Sequence, residues 1–255
     1  MTTVSKFPDF IICGFMKCGT TVAWYNLNRH PDIVMGKNFD DPKKASTEIR
    51  FWNNGKPHRV RKNGEDWYRG LFSGKCSGEK CANYIESAKT MNNIFDGVPG
   101  VKIILCIRNP VDRAYSEFQM MKKTRPNIYK IGFSKLIRKN SEIISKGMYF
   151  SQIKKNILPF FDKDDIFISI QERMKYDLNM ELNKIYNFLN VDTIEHKTHR
   201  VSSKDKDGDV SGYRSWSSKY PPMTKSDRKY LNKKFKSSAD DIRRFMGDTV
   251  EEWRL

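Results

Sequence analysis

Short apolar runs alternate along the chain with longer segments in which apolar residues recur at helical spacing. Runs at residues 10–13, 101–107 and 166–170 predict buried strands, and the second of them, VKIILCI, is the clearest. Because strands that alternate with helices build parallel sheets, the pattern predicts an α/β fold with a central parallel sheet and helices on both faces.

Five segments have the periodicity of amphipathic helices. They span residues 20–28, 110–121, 148–160, 177–189 and 224–245. Asn109 and Pro110 are the preferred cap and first residue for the helix that follows the clearest strand. The apolar residues of the last two helices are Leu178, Leu182, Ile185 and Leu189, and then Tyr230, Leu231, Phe235, Ile242 and Phe245. The polar residues 202–218, between these two helices, predict a loop.

The composition agrees with a single domain over residues 1–255. The chain of 255 residues is 38% hydrophobic and 13% aromatic, and no Pro-, Gly- or Ser-rich linker divides it. The apolar run near the N-terminus is too short for a signal peptide or a membrane span, so we expect a cytoplasmic protein. The five cysteines lack zinc-like spacing, which favours reduced thiols over a metal site.

The strongly basic composition indicates an anionic partner. Lys and Arg number 47 against 30 Asp and Glu, which gives a formal charge of +17. Such a charge suits a nucleic acid, a membrane, a nucleotide or an acidic glycan. The basic residues are scattered, and the sequence has no zinc finger, RNP motif or sustained basic helix, so we expect no specific nucleic-acid partner.

The segment GFMKCGTT, after the first predicted strand, is an altered phosphate-binding loop. Gly14 and Gly19 have the spacing of the G-x-x-x-x-G-K-[ST] motif, but Thr20 stands where that motif has lysine. The loop lysine is Lys17, two positions before Gly19. A glycine-bracketed turn that opens a helix directs backbone N–H groups at an anion, and Thr20 and Thr21 add hydroxyls. The alternative is an ordinary strand–turn–helix with a surface lysine.

A second candidate anion site follows the clearest strand, in IRNPVDRAYSEF. Arg108 leaves the strand and Ser116 lies two turns into the next helix, so a forked guanidinium and a hydroxyl are available to a phosphate. Open α/β sheets bind ligands at the carboxyl ends of their strands. The alternative is a salt bridge between Arg108 and Asp112, with Ser116 on the helix surface.

Together these motifs resemble the sulfotransferases that use 3′-phosphoadenosine 5′-phosphosulfate (PAPS). The similarity is closest to heparan sulfate sulfotransferases, especially their N-sulfotransferase domain. Further landmarks of that family follow in order: HPDIVM, TEIRFWN, DWYRGLF, GEKCANYIES and KYPPM. The resemblance implies a P-loop-like three-layer fold and a transfer of the sulfuryl group from PAPS, without a metal ion, to a hydroxyl or amine of an acceptor.

The resemblance also implies which residues hold the nucleotide. The 5′-phosphosulfate falls to the altered loop: Lys17, Cys18, Gly19, Thr20 and Thr21. Lys17 would stabilise the bridging oxygen as the sulfur–oxygen bond breaks. Arg108 and Ser116 would hold the 3′-phosphate and so distinguish PAPS from ordinary adenine nucleotides.

Two residues match family positions that face the acceptor. Sulfuryl transfer is an in-line displacement at sulfur, which needs a base for the acceptor's proton. Glu48, in STEIRFWN, matches the family's catalytic glutamate, although an ion pair with Arg50 is the alternative role, and His58 is the next candidate base. Lys80, in GEKCANY, matches an active-site lysine and would contact the sulfate or the acceptor.

The C-terminal part departs from this resemblance. Heparan-type sulfotransferases carry a disulfide-tied hairpin and then a Lys-Gly-Arg loop that closes over the nucleotide. Residues 202–220 contain no cysteine, and Ser217-Ser218 stand where Gly-Arg is expected. Candidates for the remaining nucleotide contacts are Arg214, Trp216 and Lys219, with Trp216 stacking on adenine.

The acceptor is open among a small metabolite, a lipid head group and a glycan precursor. Residues 36–45 and the basic stretch RFWNNGKPHRVRKN are expected to shape its pocket. His58, Arg59, Arg61 and Lys62 would suit an anionic acceptor, and a solvated basic loop is the alternative.

Two rival functions use the same features differently. A P-loop kinase or NTPase needs a lysine after Gly19 and an acidic strand end for magnesium, and the sequence offers neither. A basic nucleic-acid-binding protein would account for the charge but would leave both phosphate motifs unexplained.

Overall fold

A parallel sheet forms the centre of the computed structural model, which describes residues 6–37, 47–53, 63–139, 142–196, 220–253 and 255. Its strands are β1 (Phe10–Gly14), β2 (Ile33–Met35), β3 (Cys76–Lys80), β4 (Lys102–Ile107) and β5 (Ile166–Ile170). They lie in the order β2-β3-β1-β4-β5, and every pair is parallel. The chain order reverses between β1 and β4, and open α/β sheets bind ligands at the carboxyl ends of strands at such a point.

Helices flank this sheet, so the predicted α/β fold with a central parallel sheet is confirmed. The described residues form α1 (Thr20–Leu27), α2 (Gly64–Arg69), α3 (Ala88–Gly97), α4 (Pro110–Thr124), α5 (Phe133–Arg138), α6 (Glu142–Ser145), α7 (Tyr149–Asn156), α8 (Gln171–Tyr176), α9 (Leu178–Leu189) and α10 (Lys225–Met246). α1 packs on β1, β2 and β3, and α8 and α9 pack on β5. Among the described helices, none combines the length and apolarity needed to cross a lipid bilayer.

Side-chain caps fix the starts of three long helices. The Asn109 side chain accepts hydrogen bonds from the backbone N–H groups of Val111 and Asp112, and Pro110 opens α4, as predicted. Asp177 caps α9 and Thr224 caps α10 in the same way. Each cap satisfies N–H groups that have no acceptor inside the helix, so the helix starts are defined locally.

Two predicted boundaries are wrong by several residues. The helix predicted at 148–160 ends at Asn156 and continues as turns, because Pro159 has no N–H to donate and disfavours helical geometry for Leu158. The helix predicted to end near residue 121 continues to Thr124. The remaining predicted strands and helices differ from the structure by at most two residues at either end.

The strand β3 was not predicted, although all five of its residues are buried. Its sequence, CSGEK, contains polar side chains that hide a strand from any search for apolar runs. Each of the three has a partner elsewhere in the chain: the Ser77 hydroxyl donates to Asp9, Glu79 Oε1 accepts from Tyr68, and Lys80 pairs with Glu48. Burial of these polar groups therefore depends on partners that local sequence does not reveal.

Two hydrophobic clusters support the sheet and the helix that follows β4. The larger cluster surrounds the strands and includes the predicted apolar face of α9, through Leu182, Ile185 and Leu189. The second joins α4 to α5 and α10, and its buried residues include Val111, Phe118, Phe133, Leu231 and Phe235. Because this second cluster fixes α4 against α10, it also fixes the position of Ser116 within α4. All five cysteines are buried free thiols.

Candidate functional site

The loop between β1 and α1 is a tight turn with three residues in left-handed backbone geometry. They are Gly14, Lys17 and Gly19, with φ values of 120°, 74° and 92°. Any side chain at Gly14 would place its Cβ 2.6 Å from the backbone nitrogen of Cys106 in β4, so this close approach requires glycine. The turn ends at Thr20, the first residue of α1.

The N-terminus of α1 has the properties of an anion-binding helix end. Gly19 provides no side-chain cap, and the first turn contains no acidic residue. The backbone N–H groups of a first helical turn have no acceptors inside the helix and carry the positive end of its dipole. Without a side-chain cap, those of α1 are available to an anion. Thr20 is buried at this turn, whereas Thr21 is exposed and accepts a hydrogen bond of 3.3 Å from Lys80 Nζ.

The Arg108 guanidinium lies beside this loop, directly after β4. Arg108 is 8% exposed, and its Nη1 donates to the backbone oxygen of Lys17 at 3.5 Å. Within the described ranges, its buried Nε has no acceptor and no carboxylate forms an ion pair with it. Asp112, the alternative partner, pairs instead with Arg228 at 2.8 Å. A buried guanidinium without a counter-ion is costly, which favours an anionic ligand at this position.

A second cation, Lys17, lies close to Arg108. Partial burial, and then the positive charge of Arg108, lower the pKa of Lys17. Tyr220, in the segment that leads into α10, is also near: burial raises its pKa, while the Arg108 charge acts in the opposite direction. Two cations at the β1–β4 edge therefore face one region, as expected for a doubly charged ligand.

Two residues that were not predicted from the sequence, Tyr149 and Glu172, hold the backbone around Arg108. The Tyr149 hydroxyl donates to the Arg108 carbonyl at 2.7 Å and lies 3.6 Å from Cys18 Sγ in the altered loop. The Asn109 N–H donates to Glu172 at 3.0 Å. Glu172 follows β5, so the strand-end rule offered a signal for it, whereas no local pattern marks Tyr149.

Glu48 lies between two cations, so both roles considered for it have geometric support. Lys80 Nζ is 3.2 Å from Glu48 Oε1, and the Arg50 guanidinium donates to Oε2 at 2.8 Å. Burial acts to raise the pKa of Glu48, but Lys80 and Arg50 outweigh it, and the pKa is lower than the ordinary value. The carboxyl group is therefore ionised at neutral pH and able to accept a proton.

The described residues bring the predicted site together in two linked groups. Lys17 and Arg108 form one, and Thr21, Lys80 and Glu48 form the other. Ser116 is buried in α4, two turns after Arg108. The predicted nucleotide contacts Arg214, Trp216 and Lys219 and the predicted acceptor contacts His58, Arg59, Arg61 and Lys62 lie outside the described residues. Across the described ranges, no group of three or more His, Cys, Asp or Glu side chains converges as a metal site would require.

An altered phosphate loop and an arginine that has no ion-pair partner among the described residues both lie where the strand order reverses, in an α/β protein of the P-loop-like class. Comparison with known proteins then gives the family. The model of the sulfotransferase domain matches residues 7–252, so the chain belongs to the sulfotransferase family, as the motifs predicted.

Relatives of known name agree with this assignment. Human bifunctional heparan sulfate N-deacetylase/N-sulfotransferase 3 is 25% identical over 284 residues, which cover 98% of this chain and 31% of that protein. The membrane-associated sulfotransferase kil1 of Dictyostelium discoideum is 29% identical over 148 residues, 54% of this chain and 29% of that protein. The chain thus spans about a third of the length of the human relative.

Solved structures show the same fold. A sulfotransferase from Alicyclobacillus acidocaldarius superimposes with a TM-score of 0.70 at 23% identity, over 97% of this chain and 99% of that one. Mouse sulfotransferase SULT7A1, complexed with PAP, superimposes with a TM-score of 0.51 at 15% identity, over 94% of this chain and 90% of that one.

Proposed function

We propose that this protein transfers the sulfuryl group of PAPS to a hydroxyl or amine of an acceptor, with Glu48 as the general base. The observation that carries the proposal is the buried Arg108 guanidinium, which has no carboxylate partner among the described residues and lies beside Lys17. A nucleotide with a 3′-phosphate would supply the missing counter-ion. The mouse relative complexed with PAP, adenosine 3′,5′-bisphosphate, supports this choice of nucleotide.

The two ends of the nucleotide are assigned to different strand ends. The first-turn N–H groups of α1, with Cys18, Gly19, Thr20 and Thr21, would bind the 5′-phosphosulfate. Arg108 and Ser116 would bind the 3′-phosphate. Lys17 extends from the same loop and would neutralise negative charge on the oxygen that leaves sulfur. When bound, PAPS supplies an activated sulfuryl group attached to a good leaving group.

The acceptor chemistry falls to Glu48 and Lys80. As the acceptor's oxygen or nitrogen forms its bond to sulfur, its proton passes to the ionised Glu48, and the sulfur–oxygen bond to the nucleotide phosphate breaks. Lys80 is within hydrogen-bond distance of both Glu48 and Thr21, so its ammonium lies between the base and the proposed phosphosulfate site. It is suited to neutralise charge on the sulfuryl oxygens during transfer.

The acceptor is proposed as a glycan or an anionic small molecule. The similarity to heparan sulfate N-deacetylase/N-sulfotransferases supports a glycan, and the formal charge of +17 supports an anionic acceptor in general. A cytoplasmic location stays a prediction. The five buried free thiols support it, because the cytoplasm is a reducing compartment. Transfer without a metal ion also stays a prediction.

The proposal is tested first by ligand choice and then by transfer. Thermal shift measurements with adenosine 3′,5′-bisphosphate, with ATP and magnesium, and with an oligonucleotide separate it from the kinase and nucleic-acid alternatives. We expect the bisphosphate to give the largest stabilisation. Incubation with radiolabelled PAPS and a panel of N-unsubstituted and hydroxyl-bearing glycans and small anions then identifies the acceptor. A larger shift with ATP and magnesium would instead favour a kinase.

A further inference from the structure

A buried polar cluster lies behind the Glu48–Lys80 pair. Glu79 directly precedes Lys80 in β3, and its side chain points to the opposite face of the sheet because successive residues of a strand alternate. Glu79 is fully buried, and its Oε1 accepts a hydrogen bond of 2.9 Å from the Tyr68 hydroxyl. Burial raises the pKa of Glu79 to about 8, against the opposing hydrogen bonds of Tyr68 and Tyr84.

The two tyrosines of this cluster hold the segment that carries Glu48. The Tyr84 hydroxyl accepts a hydrogen bond of 3.3 Å from the backbone N–H of Trp52. The Tyr68 ring stacks on Phe51, with centroids 4.4 Å apart and planes 16° from parallel. The Trp52 ring lies against Gly97 of α3, where an added Cβ would be 2.4 Å from it. Both aromatic residues after Glu48 are thus fixed by the cluster.

We propose that Glu79, Tyr68 and Tyr84 form an anchor that positions Glu48 against Lys80. The anchor controls both partners, because Lys80 is adjacent to Glu79 in the chain and Trp52 lies four residues after Glu48. None of the three anchor residues is proposed to touch the substrate. They are positioning residues, and their role in transfer rests on the proposed function of Glu48 as the base.

A positioning role explains why this buried site holds the acid Glu79. An apolar side chain would pack there without the free-energy cost of removing a carboxyl group from water. Other titratable neighbours of Glu79 are Cys13 and Cys81, which are buried thiols, and among the residues that the structure describes no cation pairs with Glu79. A carboxyl kept uncharged by burial can still bind tyrosine hydroxyls and orient them. Since misplacement of a catalytic group by about 1 Å is able to lower a rate by about 100-fold, such orientation matters at Glu48.

The first test measures the position of the Glu48 segment without using activity. Hydrogen exchange, followed by mass spectrometry, reports the protection of the Trp52 amide in Tyr84→Phe and in the wild type. We expect exchange to accelerate by roughly tenfold, because the variant lacks the acceptor of that N–H. Tyr186→Phe is the control, since it removes from α9 a buried hydroxyl that contacts His196 and not the Glu48 segment. Calorimetry should show unchanged affinity for adenosine 3′,5′-bisphosphate in both variants.

The second test measures transfer from PAPS. In Tyr84→Phe and Glu79→Leu we expect kcat to fall by roughly tenfold with an unchanged KM for PAPS. Glu79→Gln should keep most of the wild-type rate, because its amide oxygen is still able to accept the tyrosine hydrogen bonds. Unchanged exchange of the Trp52 amide in Tyr84→Phe would overturn the anchor, as would a full transfer rate in that variant. If the wild type transfers no sulfuryl group, the proposed function fails, while the exchange measurement still decides whether the anchor holds the segment.

Discussion

Lys80 Nζ lies 3.2 Å from Glu48 Oε1 and 3.3 Å from Thr21 Oγ1. One buried ammonium therefore connects the proposed base with the first turn of α1. The Lys80 and Arg50 charges lower the pKa of Glu48 against the effect of burial. The carboxylate is therefore already ionised at neutral pH and able to accept a proton from the acceptor. An acceptor that displaces Arg50, which is the more exposed of the two cations, would raise the basicity of Glu48 as it binds.

Replacement of Glu48 by glutamine should separate chemistry from binding. Glu48→Gln keeps the shape of the side chain but removes its basicity, so we expect transfer to fall by ~10²–10⁴-fold. Affinity for adenosine 3′,5′-bisphosphate should change little, because the base faces the acceptor. Labelled PAPS measures the first quantity and calorimetry the second. Glu65→Gln, at an exposed position of α2, is the control, and nearly full transfer in Glu48→Gln would redirect the search for the base to His58.

Lys17→Ala should lower turnover far more than nucleotide affinity. If the Lys17 ammonium stabilises the leaving oxygen, its loss is expected to reduce kcat by roughly 10²–10³-fold. Steady-state assays and bisphosphate calorimetry measure the two effects, with Lys89→Ala on the exposed side of α3 as the control. Chelation of divalent metals should leave the rate intact. A strict requirement for magnesium would contradict this mechanism and favour a kinase.

Arg108 should determine the preference for a 3′-phosphate. The wild type is expected to bind adenosine 3′,5′-bisphosphate much more tightly than 5′-AMP. Arg108→Ala should remove about 1.5–3 kcal/mol of that difference, the range for a hydrogen bond to a charged group. Calorimetry with both nucleotides measures how the variant changes the difference between their binding free energies. Arg125→Ala, at the exposed end of α4, is the control. Equal affinity of the wild type for the two nucleotides would rule out the assignment.

Glu79 should make stability depend on pH. Its folded-state pKa of about 8 is above the ordinary value of 4.5, so the folded state binds the proton more tightly than the unfolded state does. The contribution of the uncharged carboxyl is complete below pH 4.5 and is lost as the pH rises towards 8, by at most about 1.4 kcal/mol per pH unit.

Urea unfolding of the wild type and Glu79→Gln between pH 5 and 8 measures this effect. We expect the free energy of unfolding of the wild type to fall with pH relative to the variant, because glutamine does not ionise. Glu65→Gln should follow the wild type. Parallel curves for the wild type and Glu79→Gln would show that the Glu79 pKa is not raised.

The sequence predicted those parts of the fold and site that depend on local pattern. Continuous apolar runs marked β1, β4 and β5, while the glycine spacing and the rule that ligands bind at strand ends marked Lys17 and Arg108 as candidates for two anion sites. The polar strand β3 was not predicted, since its buried side chains have their hydrogen-bond partners elsewhere in the chain. Tyr149, which holds the Arg108 carbonyl from 41 residues away, left no local signal either. The single-domain organisation and the nucleotide contacts of Arg214, Trp216 and Lys219 stay predictions.

The left-handed backbone conformation at Lys17 lowers the stability of the fold, whereas its ammonium group is proposed to serve turnover. A residue with a side chain is strained by about 1–2 kcal/mol in this geometry, which glycine adopts freely. Lys17→Gly should therefore have a higher melting temperature than Lys17→Ala, although both lack the ammonium and are equally impaired in turnover. A selection for heat resistance alone would accordingly favour glycine at this position and yield a protein that is more stable but turns over far more slowly.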